Sequence, residues 1–85
     1  MNLNTELLEE LSILSLFNQH TIQEGIKVHS HQASDADISA TKRLFVKGFI
    51  TKDDGGYLTS LGKDAVEILQ DLIGMLSNRL LILHL

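Results

Sequence analysis

The sequence predicts a mainly α domain with a small two-stranded β wing, and three features predict it. A helical pattern stops at a glycine, Gly48. An Asp-Asp-Gly-Gly run at 53–56 then separates two short strand-like stretches. After Thr59 a long amphipathic pattern takes over and runs to residue 85. A stop, a tight turn and a restart in that order read as helix, hairpin, helix.

The first helix is expected over about residues 4–17. Leu7, Leu8, Leu11, Leu14 and Phe17 recur at three- and four-residue steps, with Glu6, Glu9 and Glu10 on the opposite, solvated side. Asn2 or Asn4 caps it, and the early glutamates suit the positive end of the helix dipole. The run 18–20 breaks it. A second, short helix is expected from Thr21, because Thr21-Ile-Gln-Glu24 has the form of a capping box. Ile22, Ile26 and Val28 would face the core, and Gly25 weakens the helix. Part of 28–34 must be loop.

The third helix starts after Ser34, with Asp37 three residues on, and ends at Gly48 in a left-handed stop. At helical spacing Ile38, Thr41, Leu44, Phe45 and Gly48 share one side. Ala36, Ser39, Ala40, Arg43 and Lys47 share the other, with Lys42 on a flank. The wing strands are expected at 49–52 and 57–59, with Ile50 and Leu58 inward and Lys52 outward. Asp-Gly and Gly-Gly supply the positive φ that a tight hairpin needs. The fourth helix runs from about 60 toward 85, with possible breaks at Gly74 and Ser77-Asn78. It carries two apolar stripes. Leu61, Ala65, Ile68, Leu72 and Leu76 form one, assigned to the core. Val66, Leu69, Ile73, Leu76, Leu80 and Leu83 form the other, which needs a second surface and is assigned to a homodimer interface. The expected core is Leu11, Leu44, Phe45, Ile50, Leu58 and Leu61.

Eighty-five residues make one domain, spanning 1–85, near the lower end of what one apolar core stabilises alone. The sequence has no cysteine, so no disulfide or thiolate metal site contributes. That composition fits a reducing compartment. Glu6, Glu9 and Glu10 with no neighbouring base are unlike a secretory or mitochondrial leader. The apolar run 80–85 is too short to cross a bilayer and lacks the basic face of an interfacial helix. The expected setting is cytoplasmic, away from membranes.

Net charge is −4, which by itself disfavours a nucleic-acid binder. Its distribution is uneven. Residues 1–25 hold four acids and no base. Residues 26–52 hold five cations, Lys27, Lys42, Arg43, Lys47 and Lys52, against Asp35 and Asp37. Residues 53–85 hold five acids against Lys63 and Arg79. The middle cations sit where a helix and wing would meet DNA, although an ordinary solvated surface gives the same mixture.

Little else suggests chemistry. His29-Ser-His31 would bring two imidazoles together if extended, with His20, Asp35 or Asp37 to complete a metal site. A polar loop explains the same residues, and that reading is preferred. Gly55-Gly56 is not followed by Gly-Lys-Ser/Thr, so it is a hairpin turn and not a phosphate loop. No Ser-His-Asp or Cys-His arrangement stands out. We therefore expect no catalysis, no cofactor and no metal.

Arg43-Leu-Phe-Val-Lys-Gly-Phe-Ile50, Gly56-Tyr-Leu-Thr-x-x-Gly62 and the amphipathic helix after them resemble the C-terminal half of many bacterial winged helix-turn-helix regulators over about 34–75. The whole chain also resembles a small family of uncharacterised proteobacterial proteins of about this length. That likeness rests on Glu24-Gly-Ile-Lys-Val-His29 and Asp54-Gly-Gly-Tyr-Leu-Thr59. The regulator resemblance implies that the third helix enters the major groove of double-stranded DNA, with Ser39, Lys42, Arg43 and Lys47 in contact and the fourth helix pairing two subunits. Arg reads guanine in a bidentate way, whereas Lys mostly positions on phosphate. The expected function is accordingly that of a non-catalytic DNA-binding regulator, favoured by the charge segregation and by the small residues Ala36 and Ala40 on the outward face. The alternative is a winged-helix module that docks another protein and has no nucleic-acid role. Asp35 and Asp37 at the start of the third helix, and Asp53 and Asp54 at the wing tip, favour that alternative.

Overall fold

A computed structural model describes residues 2–17, 25–27 and 33–83, with side chains placed as far as residue 78. Its elements in order are α1 (Thr5–Leu14), β1 (Ile26–Lys27), α2 (Asp35–Val46), β2 (Ile50–Lys52), β3 (Gly55–Leu58) and α3 (Ser60–Leu83). The helix expected from Thr21 falls mostly outside the described residues. Where it re-enters them, at 26 and 27, the backbone is strand and not helix.

Each start and stop has a local cause. The Asn4 side chain accepts from the amide of Leu7 at 2.8 Å, which opens α1. That helix ends three residues earlier than expected, where the Ser15 hydroxyl donates back to the Ser12 carbonyl at 2.6 Å. Phe17 lies beyond the helix yet is fully buried. Ser34 caps α2 by accepting from the Asp37 amide at 3.1 Å. Gly48 ends that helix at φ 89, a left-handed conformation that costs glycine least. The stop is closed by the Phe49 amide donating to the Leu44 carbonyl at 3.0 Å.

The hairpin β2–β3 forms at the expected place, but its turn is Asp53-Asp54 alone. Gly55 and Gly56, expected in the turn, begin β3, with Ile50 opposite Leu58, Lys52 opposite Gly55 and an irregular register between them. A third strand, unforeseen in the sequence, joins it. β1 pairs antiparallel to β3, giving the order β1-β3-β2. Gly55 sits at φ 129 and a Cβ there would run into the Ile26 carbonyl, so this glycine lets the added strand approach. Thr59 joins sheet and helix. Its hydroxyl donates to the Gly48 carbonyl at 2.5 Å and accepts from the Gly62 amide at 3.0 Å, which caps α3. The architecture is mainly helical with a small antiparallel sheet, compatible with a winged-helix arrangement.

The core consists of Ile13, Leu14 and Phe17 from the α1 end, Ala40 and Leu44 from α2, Ile50 and Leu58 from the hairpin, and Val66 from α3. Leu44, Ile50 and Leu58 are where the sequence places them. Phe45 and Leu61 are not: they stand 42% and 51% exposed, and Leu11 is only partly covered. Ala40, assigned to the outward side of its helix, is completely buried with Thr41. α2 is thus rotated from the expected phase, because α1 packs on its small-residue side. Helix α3 is continuous through Gly74 and Ser77-Asn78. Its two stripes have also exchanged roles: Val66 and Leu69 turn inward, while Leu61, Ile68 and Leu72 turn out.

Candidate functional site

The cations of α2 do not share one environment. Arg43 and Lys47 are four residues apart, so their heads converge on one side of the helix. That side faces α1. Arg43 donates through Nε to Glu10 Oε2 at 2.8 Å, through Nη2 to Glu9 Oε1 at 3.3 Å, and lies 3.5 Å from Glu6. Lys47 donates to the other Glu10 oxygen. Glu10, assigned from sequence to a solvated face, is buried. Pulling it in is tolerable because both carboxylate oxygens gain a charged donor.

Burial by itself raises the Glu10 pKa. The hydrogen bonds and charges of Lys47 and Arg43 outweigh burial and hold the carboxyl below its ordinary value. Arg43 is raised above its own, chiefly by the hydrogen bond to Glu10. Two of the four side chains expected on DNA are therefore bound to carboxylates within the chain. The other two, Ser39 and Lys42, are exposed on the outward side of α2, together with Asp35 and Val46. The wing presents Lys52 beside Asp53, both exposed.

A concave feature lies elsewhere. Leu7, Leu11 and Leu14 of α1 face Ala65, Ile68 and Leu72 of α3 across an open groove of about 440 Å³. Its walls are almost wholly apolar, with Glu10 and Lys47 at one edge. The signal for it was in the sequence: a Leu stripe on the first helix and one stripe too many on the last. Beyond the groove, Ile73, Met75 and Leu76 stand 41%, 59% and 60% exposed. Of the expected dimer residues, Val66 is removed from any surface because the chain's own core covers it, and Leu69 packs against that core. Ile73 and Leu76 are exposed. Leu80 and Leu83 have side chains outside the described residues.

Among the described residues no cluster of His, Asp and Glu is arranged to hold a metal, and no helix is long and apolar enough to cross a membrane. His20, His29 and His31 lie outside the described residues.

In comparisons with known proteins, the family described as "Family of unknown function (DUF5669)" matches residues 1–77. No curated protein and no solved structure matches the chain.

Proposed function

The chain belongs to the DUF5669 family, and we propose that this member is a non-catalytic winged-helix module that docks another protein through the apolar surface of α1 and α3. The observation that carries this reading is the Glu10 ion-pair cluster. It commits Arg43 and Lys47, half of the side chains a DNA-reading helix would use, to α1. Charge supports the same view. A protein that neutralises phosphates needs a field of free cations, and here the exposed Lys27, Lys42 and Lys52 are interspersed with acids, Asp35 on the outward side of α2 and Asp53 and Asp54 at the wing tip. The groove and the apolar stretch of α3 supply what protein partners bind: contiguous nonpolar surface rimmed by charge. A cysteine-free chain suits a cytoplasmic setting for this role.

A second reading stays in play on one observation. α2 immediately precedes the hairpin and shows Ser39 and Lys42 to solvent, the placement by which a bacterial regulator of this type would touch a duplex. Titrating labelled random-sequence duplex at low and moderate salt separates the two. We expect no salt-dependent binding. Binding that weakens steeply with salt and falls in Lys42→Ala would establish the DNA reading and remove the first.

A further inference from the structure

We propose that the outer face of the small sheet binds one nucleotide, with the base stacked on Tyr57 and the phosphate held between Lys27 and Lys52. This goes beyond the docking reading and shares no residue with the groove between α1 and α3.

The ladder brings these side chains together. Gly55 on the central strand is the partner of Lys27 on one side and of Lys52 on the other. Directly opposed residues share a face of a sheet, so the two lysines flank a position that has no side chain. Adjacent strands lie about 4.8 Å apart, which sets the two Cα atoms about 10 Å from each other. Two long, flexible stems can close that distance onto a single anion. Tyr57 lies two residues further along β3 on the same face and is 47% exposed, while its neighbour Leu58 is buried in the core. A Cβ on Gly25 would come 3.2 Å from the Tyr57 ring and 2.7 Å from the Gly56 carbonyl oxygen. Glycine at this position, with φ 80, therefore lets the ring lie close to the backbone that leads into β1. The result is a polar hollow of about 320 Å³, within the range of small-ligand sites, lined by Lys27, Lys52, Asp54 and Tyr57 together with Gly25 and Gly56.

Chemistry selects the occupant. Arg43 and Lys47 are tied to Glu10, but among the described residues no hydrogen bond or ion pair takes up the heads of Lys27, Lys52, Asp54 or Tyr57. Two unpaired ammonium groups suit an anion, and the open ring beside them suits a planar group that can stack on it. Two lysines against one carboxylate leave the hollow at only +1. Asp54 thus disfavours a bare phosphate, and it offers an acceptor to the amino group of a base. A nucleotide carries phosphate, planar ring and amino group in one small molecule.

Isothermal titration calorimetry of the full chain with adenosine 5′-monophosphate tests this, with circular dichroism to verify the fold of each variant. We expect saturable binding in the millimolar range or tighter that weakens as salt rises. Adenosine and ribose 5-phosphate each lack one half of the ligand and should bind about tenfold more weakly or worse. Tyr57→Leu and the double variant Lys27→Gln/Lys52→Gln should each cause a similar loss. All three side chains are exposed, so the fold should survive these changes. An oligodeoxyadenylate that binds through the same residues and far more tightly than the mononucleotide would make the ligand one unit of a single strand; no gain would make it a free nucleotide. Absence of saturable binding of either probe at several millimolar overturns the proposal. So does binding that ribose 5-phosphate matches, or binding that survives both variants. These outcomes leave the docking reading standing, because that reading fails on a different measurement, salt-dependent duplex binding.

Discussion

At Glu10 two opposing effects meet in one side chain. Burial disfavours the carboxylate, and hydrogen bonds from Lys47 and Arg43 favour it more strongly. A folded pKa below the unfolded one means that the folded state binds the proton less readily. The Glu10 contribution to stability is therefore complete above the ordinary glutamate range, which centres near 4.5, and is lost as pH falls through the lowered value. Glu10→Gln should cost about 1–2 kcal/mol at neutral pH, a modest figure because the Arg43 and Lys47 heads keep access to water. Urea unfolding followed from pH 7 to pH 3 should show a steeper acid loss for wild type than for this variant. Under the DNA reading the same change releases two cations and should tighten duplex binding, so one variant speaks to both stability and function. Neighbouring residues on α2 give a second contrast. Leu44 is 1% exposed and Phe45 is 42% exposed. Leu44→Ala should cost about 2–5 kcal/mol by leaving a cavity, and Phe45→Ala less than about 1.5 kcal/mol. The larger side chain is the less important one here, which denaturant midpoints will test directly.

Among the elements, α3 shows how one helix serves two environments. Its first turns press against the junction between α2 and the hairpin. A Cβ on Gly62 would collide with the Phe49 carbonyl oxygen, a backbone atom that cannot rotate away. That carbonyl also accepts from the Thr59 amide at 3.1 Å, so moving it would disturb the cap of the helix. Gly62→Ala should destabilise by about 1–3 kcal/mol. Gly74 sits further along the same helix, where an added methyl group would meet nothing within 4 Å. Gly74→Ala should stabilise by about 0.5–1 kcal/mol, since it removes backbone freedom from the unfolded chain and adds no clash. Opposite signs for one chemical change on one helix, read by thermal unfolding, would locate where the body of the domain ends.

The whole molecule is longer than its chain length implies. Its radius of gyration is 13.9 Å, against about 12 Å for a compact domain of this size. The long dimension is 44 Å, with the others at 27 and 26 Å. Much of the apolar surface of α3 is exposed, so a partner that covers it would add stability. Under the homodimer expected from the sequence, the wild-type melting temperature should rise with protein concentration, because a second copy would bind the folded state alone. Ile68→Lys should abolish that dependence. It should leave the melting temperature at low concentration nearly unchanged, because Ile68 contributes little to its own core. A concentration-independent melting temperature in wild type would argue that the surface meets a different protein.

The sequence by itself determined several of the starts and stops: the caps of α1 and α2, the Gly48 stop, the hairpin and the restart at Thr59. Asn4, Ser34, Gly48, the hairpin around 53–56 and Thr59 act through hydrogen bonds and φ angles within a few residues, so their effect is local and legible. It determined Leu44, Ile50 and Leu58 as core for the same reason, since short strands and a helix end leave few orientations. The third strand at Ile26–Lys27 was not legible, because two residues carry no periodicity and the pairing depends on Gly55 and Gly56, far along the chain. Only the tertiary structure decided the rotation of α2 and α3 about their axes. Both helices have more than one face able to be buried, and periodicity ranks such faces almost equally. The choice fell to neighbours distant in sequence: α1 covered Ala40 and tied the Arg43 and Lys47 heads to Glu10, and the hairpin accepted Gly62 and Val66 in place of Leu61. The physical reason is that burial is settled by the summed fit of volumes and charges between elements, a quantity no single element contains.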